Sequence, residues 1–324
     1  MADKAREWTE NRLRRMEGRI RDIYTQAQFE MTEKWTAYMV RGQDRLDTLY
    51  QAYLSAPSDK KAEALKKYQD AMQSYTLRNQ WYQNMVDDTA FRISHVNEIA
   101  TAYVNGQMPE IYRKNFNQSV PGVENLGIRF DIMTEQTLRR MIDEDDIEME
   151  EKYIDLFKDT RWNIRQMNNS VLQGIIQGES IDKIAERILP IIGNNEKASI
   201  RNARTMVTGA ENRGRLDRYQ DLESQGVVLT KIWIATPDGR TRDWHIAIDG
   251  QEVGVNEMFI DGHGNELEYP GDPGAEPETV YNCRCSMRSS VSGIRGADGK
   301  IHYISPTQHN GMHQQQIREE RMRR

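Results

Sequence analysis

The sequence has few cysteines and no long apolar run, and these absences exclude several classes of protein. Two cysteines in 324 residues favour a reducing compartment such as a cell cytoplasm. No stretch approaches the roughly 18 apolar residues that a membrane-spanning helix needs. The N-terminal segment MADKAREWTENRLRRMEGRI lacks the apolar core of a secretory signal. We therefore expect neither a membrane segment nor a signal peptide.

Apolar residues and prolines are scarce at the same time. Apolar residues make up 37% of the chain and the mean hydropathy is −0.82, which is low for one round globular domain. Only 9 prolines interrupt the sequence, so long helices are possible. A chain with few apolar residues and few prolines is expected to form elongated helices with much solvated surface.

An excess of positive charge is also missing. The net charge is −6 and the isoelectric point is about 5.7, so overall electrostatics do not indicate a nucleic-acid-binding protein. A local cluster at the C-terminus could still hold DNA phosphates without sequence preference. It consists of Arg318, Arg321, Arg323 and Arg324. The alternative is ordinary solvated charge, because Glu319 and Glu320 are interspersed.

The first 130 residues show the pattern of a helical hairpin. Apolar residues recur every three or four positions between Trp8 and Tyr53 without a proline, which predicts one long helix. The segment Ala56-Pro57-Ser58-Asp59 ends it, and a second helical pattern runs toward Gly106. Two long helices joined by a short turn predict an antiparallel pair. Prolines and glycines in 107–131 predict an irregular connection.

Residues 131–194 are predicted to form a helical middle region. It starts with a helix capped by Thr134, contains an acidic run at 143–151, and ends with a short helix at 181–192. The segment Gly193-Asn194-Asn195 is predicted to break that helix.

Residues 195–292 are predicted to be a small mixed domain, followed by a flexible basic tail at 293–324. A helix over 196–225 ends at Gly226, and short strand-like runs then alternate with turns up to Cys285. The predicted fold class is therefore α+β. It has an elongated helical N-terminal two-thirds, with a long hairpin plus further helices, and a small α+β C-terminal domain.

An ordered set of motifs in this domain resembles the Mu F-like minor head proteins of tailed phages. It begins in ARTMVTGAENRGRLDRY, continues in KIWIATPDGRTRDWHIAIDGQEV and closes in PGDPGAEPETVYNCRCSM. The matching residues are Arg204, Thr205, Asn212, Arg215, Trp233, Asp238, Arg240, Thr241, His245, Asp249, Gly250, Pro270, Gly271, Asn282, Cys283, Arg284 and Cys285. The match covers about a third of the chain.

The resemblance implies a structural role in head morphogenesis without enzymatic activity. It implies association with the portal protein and the inner capsid, with scaffold or major capsid protein as further partners and contact with packaged double-stranded DNA. The implied location is the virion, in the head interior or portal region, after assembly in the host cytoplasm. Domains of this family also precede toxin modules. Only residues 286–324 follow Cys285, too few for a catalytic domain, so we expect no such module here.

Cys283 and Cys285 raise the question of a metal. Residues two apart on a strand point to the same face, so the two thiols could supply half of a zinc site. His245 would be the third ligand and His263, or a carboxylate, the fourth. Relatives often have Arg-Thr-Cys-x-x-Cys at this turn, so the resemblance places His245 at one ligand position but Arg242 at another. The alternative, without a cofactor, is two buried thiols beside a hydrogen-bonded histidine.

The polar residues of the turns have a structural and a catalytic interpretation. In the structural one, Asp249 bonds its own backbone, and Arg240 or Arg284 pairs with it. In the alternative, His245, Asp249 and His263 form the centre of a metal-dependent nuclease or hydrolase. No HExxH-type motif, paired-carboxylate spacing, Ser/His/Asp set or phosphate loop supports the alternative, so we predict no catalytic residues.

Overall fold

A computed structural model describes most of the chain. The described residues are 3–77, 79–120, 132–136, 138, 163–166, 169, 170, 173, 181–296 and 298–303. The acidic run at 143–151 and the arginines of the C-terminal cluster lie outside these residues.

The N-terminal region contains the predicted pair of long helices. Helix α1 spans Lys4–Ser55, and the second arm consists of α2 (Lys61–Leu77) and α3 (Asn79–Asn105). The rings of Tyr50 and Tyr68 lie 5.3 Å apart, and the hydroxyl of Tyr24 donates to Asn97. The end of α1 thus lies beside the start of the second arm, and an earlier part of α1 lies beside the end of the second arm. The two arms therefore run antiparallel. The predicted hairpin is confirmed.

Helix α4 (Met108–Gln118) lies in the segment predicted to be irregular. Pro109 occupies the first turn of this helix. A proline is tolerated there because the first amides of a helix have no intrahelical acceptor. The buried residues Ile111, Tyr112 and Phe116 give α4 one apolar face. The prediction of an irregular connection is therefore wrong for this stretch.

Helix α5 (Ile181–Ser224) is continuous through the predicted break at Gly193-Asn194-Asn195. Asn195 is buried, and its side-chain amide donates to the carbonyl of Ile191 and to Asn163. Asn97 in turn donates to Asn195 over 3.0 Å. These bonds satisfy the side chain inside the helix, where an asparagine would otherwise compete for backbone groups. The boundary predicted between 194 and 195 consequently falls inside a helix.

The contacts of the chain divide it into two compact units. One comprises 1–18, 101–154 and 200–324, and the other 19–100 and 155–199. The first unit therefore combines the two ends of the chain. None of the described helices is long and apolar enough to cross a lipid bilayer.

The first unit contains an antiparallel sheet with the strand order β2-β1-β5-β6. Its strands are β1 (Val227–Ile234), β2 (Glu252–Gly254), β5 (Ser286–Arg295) and β6 (Ile301–Tyr303). A second, two-stranded sheet pairs β3 (Phe259–Ile260) with β4 (Glu266–Leu267), and two short helices, α6 (Asp243–Ile246) and α7 (Pro277–Val280), lie in the connections. Together with the helices, these sheets confirm the α+β class.

The central pair of strands fixes the register of the domain. Trp233 of β1 lies opposite Met287 of β5, and both are buried. The Trp233 ring meets Phe259 edge to face, with the ring centres 5.2 Å apart. The chain enters β1 from α5 through Gly226, which has a φ of 91°. This left-handed residue ends α5 as predicted.

The sheet continues into the region predicted to be a flexible tail. Gly293, Ile294 and Arg295 of β5 pair with residues of β6. The ordered sheet therefore reaches Tyr303, beyond the predicted limit at 292. The rest of the predicted tail lies outside the described residues.

Candidate functional site

The turn after β1 is built around Asp238. One carboxylate oxygen, Oδ1, accepts a hydrogen bond from Arg284 Nη2 at 2.7 Å, and the same oxygen accepts one from the backbone N–H of Arg240 at 3.0 Å. The hydrogen bonds from Arg284 hold the pKa of Asp238 far below its usual range. The turn therefore ties the end of β1 to the residue just before Cys285.

Threonines complete this turn. The hydroxyl of Thr241 donates to the carbonyl of Thr236 at 2.5 Å, and the hydroxyl of Thr236 donates to the carbonyl of Arg284 at 2.6 Å. The motif residues Thr241, Asp238 and Arg284, which are scattered in sequence, thus meet in one hydrogen-bonded turn.

Asp249 has a different role from the predicted pairing with Arg240 or Arg284. Both of these arginines lie beside Asp238, with Arg240 Nη2 3.8 Å from its carboxylate. Asp249 Oδ1 accepts the backbone N–H of Ala235 at 2.8 Å. Arg240 and Arg284 thus pair with Asp238, and Asp249 binds the backbone where β1 ends.

One face of α5 holds the segment 282–287. We call this the clamp face; it consists of Thr205, Thr208, Asn212 and Arg215, at intervals of three, four and three residues. Such intervals place side chains on one side of a helix. Thr205 accepts the backbone N–H of Asn282 at 2.8 Å, and Thr208 donates to the carbonyl of Cys283 at 2.7 Å.

Asn212 continues the clamp face toward β5. Its Oδ1 accepts the backbone N–H of Met287 at 3.0 Å, and its Nδ2 donates to the carbonyls of Pro270 and Cys285 at 3.1 and 3.3 Å. Arg215 donates to the carbonyl of Met287 at 3.1 Å. A single helix face thus sets the path of the chain through both cysteines.

The same helix approaches the turn at Pro270-Gly271 very closely. A Cβ on Gly271 would lie 2.9 Å from the backbone nitrogen of Gly209. Gly271 also has a φ of 82°, in the left-handed region. Both facts require glycine here and explain why the motif has Pro-Gly at this position.

A buried ion cluster closes the far end of the clamp face. Arg215 is fully buried and pairs with Asp3 at 2.7 Å and with Glu211 at 3.1 Å. Glu211 also accepts the hydroxyl of Ser286 at 3.1 Å. Burial raises the pKa of Glu211. Sequence reasoning missed Asp3, because a pairing over 212 residues leaves no local pattern. It also missed Glu211, although the four-residue spacing to Arg215 on one helix could have indicated that pair.

His245, Cys283 and Cys285 converge in the core; we call them the thiol–imidazole cluster. His245 Nδ1 lies 3.7 Å from the sulfur of Cys283 and 3.6 Å from that of Cys285. All three side chains are buried, and their possible ligand atoms lie within 4.8 Å of one another. These three motif residues, which lie apart in the sequence, therefore meet in the structure.

The surroundings of the cluster are apolar and rigid. The Trp233 ring packs edge-on against the His245 ring, with the centres 5.3 Å apart. The backbone N–H of Cys285 points to the sulfur of Cys283 at 3.4 Å. The hydrogen bond from the Cys283 thiol, assisted by His245, lowers the pKa of Cys285 to about 5, while the pKa of Cys283 is raised.

His263, the predicted fourth ligand, stacks on the ring of Trp244 at 4.4 Å between ring centres. Within the described ranges, the group that could hold a metal ion comprises only His245, Cys283 and Cys285. The nearby carboxylate of Asp261 accepts the backbone N–H groups of His263 and Asn265, which shapes the turn instead.

The fold and these contacts define a class. It is a small α+β domain in which one helix face clamps an antiparallel sheet around a buried thiol–imidazole cluster. Residues 165–288 match the family model described as Phage Mu protein F like protein. Through this segment the chain is similar to the Mu F-like family.

Two curated relatives share part of this chain. An NAD(+)–arginine ADP-ribosyltransferase, EFV, of Enterococcus faecalis is 32% identical over 130 residues, which is 40% of this chain and 26% of that protein. Minor head protein GP7 of Bacillus phage SPP1 is 26% identical over 136 residues, 41% of this chain and 44% of that protein. The chain thus covers less than half the length of either relative. No solved structure matches it.

Proposed function

We propose that this protein is a minor head protein of a tailed bacteriophage and acts in head morphogenesis. The observation that carries the proposal is the Mu F-like segment 165–288, together with the similarity to a minor head protein of phage SPP1. The proposed location is the virion.

The proposed partners are the portal protein and the inner capsid, with scaffold or major capsid protein as further partners. Two features of the chain support an assembly role. Its antiparallel helices expose large apolar side chains, including Phe29 at 59% and Phe91 at 72%. Its C-terminal domain uses its motif residues to hold one rigid fold. Exposed apolar side chains on helices are suited to contact with another protein.

A structural role also fits the use of the polar motif residues. Asp238, Asn212 and Arg215 are engaged with other parts of the chain. We therefore propose that the protein has no catalytic activity of its own. The competing function is a metal-dependent nuclease or hydrolase, in which His245, Asp249 and His263 would form the centre.

Co-expression with the portal and major capsid proteins of the same phage genome tests the head-protein proposal. We expect this chain to copurify with the portal oligomer and to be present in assembled heads by mass spectrometry. Heads that contain portal protein but lack this chain would contradict the proposal. Portal isolated without capsid proteins distinguishes portal binding from binding to the capsid wall.

The enzymatic alternatives are tested with the purified full-length chain. We expect no cleavage of double-stranded DNA with Mg²⁺, Mn²⁺ or Zn²⁺, and no transfer from NAD⁺ to arginine-containing proteins. Metal-dependent cleavage that is lost in both the His245→Ala and Asp249→Ala variants would establish the competing function.

Contact with packaged DNA is a separate part of the proposal. The arginines at 318, 321, 323 and 324 would bind phosphates, and such binding weakens steeply with salt. The test compares DNA binding of the wild type with a variant carrying glutamine at these four positions, from low to moderate salt. Binding that is insensitive to both salt and substitution would refute this contact.

A further inference from the structure

The thiol–imidazole cluster has the composition and spacing of a metal site. We propose that His245, Cys283 and Cys285 bind a zinc ion that stabilises the C-terminal domain. Imidazole nitrogen with two thiolate sulfurs is a ligand set that Zn²⁺ accepts in tetrahedral sites. This proposal is independent of the proposed head-assembly role.

The distances within the cluster fit zinc without rearrangement. Zinc binds sulfur at about 2.3 Å and nitrogen at about 2.0–2.1 Å, so tetrahedral geometry places bound nitrogen and sulfur about 3.6 Å apart. The structure has His245 Nδ1 at 3.7 Å from Cys283 Sγ and 3.6 Å from Cys285 Sγ. Both nitrogen–sulfur distances therefore match those of a zinc-bound set, and all three ligand atoms lie within 4.8 Å of one another.

The three ligands are held in place by the fold rather than by one another. Thr208 fixes the carbonyl of Cys283, and Asn212 fixes that of Cys285. The backbone N–H of Cys285 donates to the Cys283 sulfur, an interaction that stabilises a metal-bound thiolate. The rings of Trp233 and His245 pack edge to face. A rigid, largely apolar shell of this kind keeps the coordinating groups oriented.

The fourth position is proposed to hold a water molecule. Among the residues that the structure describes, no further histidine, cysteine or carboxylate joins the group, and His263 is engaged with Trp244. A disulfide is the other chemistry open to two thiols, but both cysteines are free here. Two cysteines separated by one residue are also poorly placed for the required geometry.

The first test is metal analysis of the full-length chain, purified without chelator. We expect near-stoichiometric zinc in the wild type and in His263→Asn, the matched control from the same turn region. We expect loss of zinc in Cys283→Ser, Cys285→Ser and His245→Asn. Equal zinc in the wild type and in the Cys283→Ser/Cys285→Ser double variant would mean adventitious surface binding and would overturn the proposal.

A second test does not depend on whether the variants fold. The wild type is stripped with a chelator and titrated with Co²⁺. We expect the intense visible bands of tetrahedral cobalt and the ultraviolet absorption of cobalt–thiolate bonds, both reversed by Zn²⁺. We also expect the chelator to lower the thermal midpoint and zinc to restore it. Zinc-free wild type that melts unchanged and gives only the weak spectrum of octahedral cobalt would overturn the proposal.

Discussion

The side chain of Asn212 binds the backbone of Met287, with its Oδ1 3.0 Å from the Met287 nitrogen. This bond joins α5 to the second residue of β5. Because the same amide also donates to the carbonyl of Cys285, Asn212 helps to fix the position of this cysteine.

Replacing Asn212 by alanine should therefore destabilise the domain. The change leaves buried backbone groups of Met287, Pro270 and Cys285 without this partner. Each unsatisfied buried group costs about 1–3 kcal/mol, so we expect a loss of about 3 kcal/mol. The free energy of unfolding is measured with urea. Gln220→Ala, which removes an exposed bond on the same helix, should cost less than about 0.5 kcal/mol. Equal effects of the two changes would contradict the clamp.

Gly271→Ala should be more damaging than Gly250→Ala. The two glycines have nearly equal φ values, 82° and 83°, so the backbone penalty for alanine is the same. That penalty is about 1 kcal/mol. A Cβ at Gly250 meets nothing within 4 Å, whereas one at Gly271 collides with the backbone of α5. Thermal unfolding of both variants measures the steric part directly. Similar midpoints would show that α5 does not approach this turn so closely.

The pair of Asp238 and Arg284 should make stability depend on pH in the acidic range. The pKa of Asp238 is lowered in the folded chain, so its contribution is present above the unfolded value near 3.8 and is lost as pH falls below it. As the pH falls, we expect the wild type to lose the stability that the ionised Asp238 contributes, whereas Asp238→Asn has no such contribution to lose. Arg240→Ala is the control, because Arg240 is 75% exposed and lies 3.8 Å away. The free energy of unfolding is measured with urea, from pH 6 down to the lowest pH at which the protein is still folded. Identical pH profiles of Asp238→Asn and the wild type would disprove the coupling.

Lys231 should influence stability in the alkaline range. It is fully buried on β1, donates to the carbonyl of Glu268 at 2.8 Å, and has its pKa lowered to about 8 by desolvation. Between about 8 and the unfolded value of 10.5, the unfolded chain binds more protons, so this group adds stability as pH rises. The wild type should gain on the order of 2–3 kcal/mol over Lys231→Met across this window. A constant difference between the two proteins from pH 7 to 10 would contradict the lowered pKa.

Local sequence patterns predicted those parts of the fold that depend on local chemistry. Helical spacing in α1, the proline at position 57 and the left-handed glycine at 226 each act within a few residues, and the structure agrees at these points. The irregular connection predicted around Pro109 was wrong, because a proline can follow the end of one helix or occupy the first turn of the next.

Long-range hydrogen bonds account for the remaining differences. Asn195 belongs to the segment predicted to break the helix, but its hydrogen bonds to Asn97 and Asn163 stabilise it inside α5. His263 has the chemistry of a ligand, yet its ring stacks on Trp244. The family motifs pointed to His245, Cys283 and Cys285, which lie together in the structure. Composition alone does not identify these residues. Whether the cluster binds zinc remains a prediction.

The pairing of Asp3 with Arg215 has a consequence for the time course of folding. Asp3 is synthesised 212 residues before its partner Arg215. The Asp3 carboxylate therefore stays exposed to water until Arg215 has been synthesised. Contacts of such large sequence separation slow folding. We accordingly expect the pairing of Asp3 with Arg215 to form late in folding.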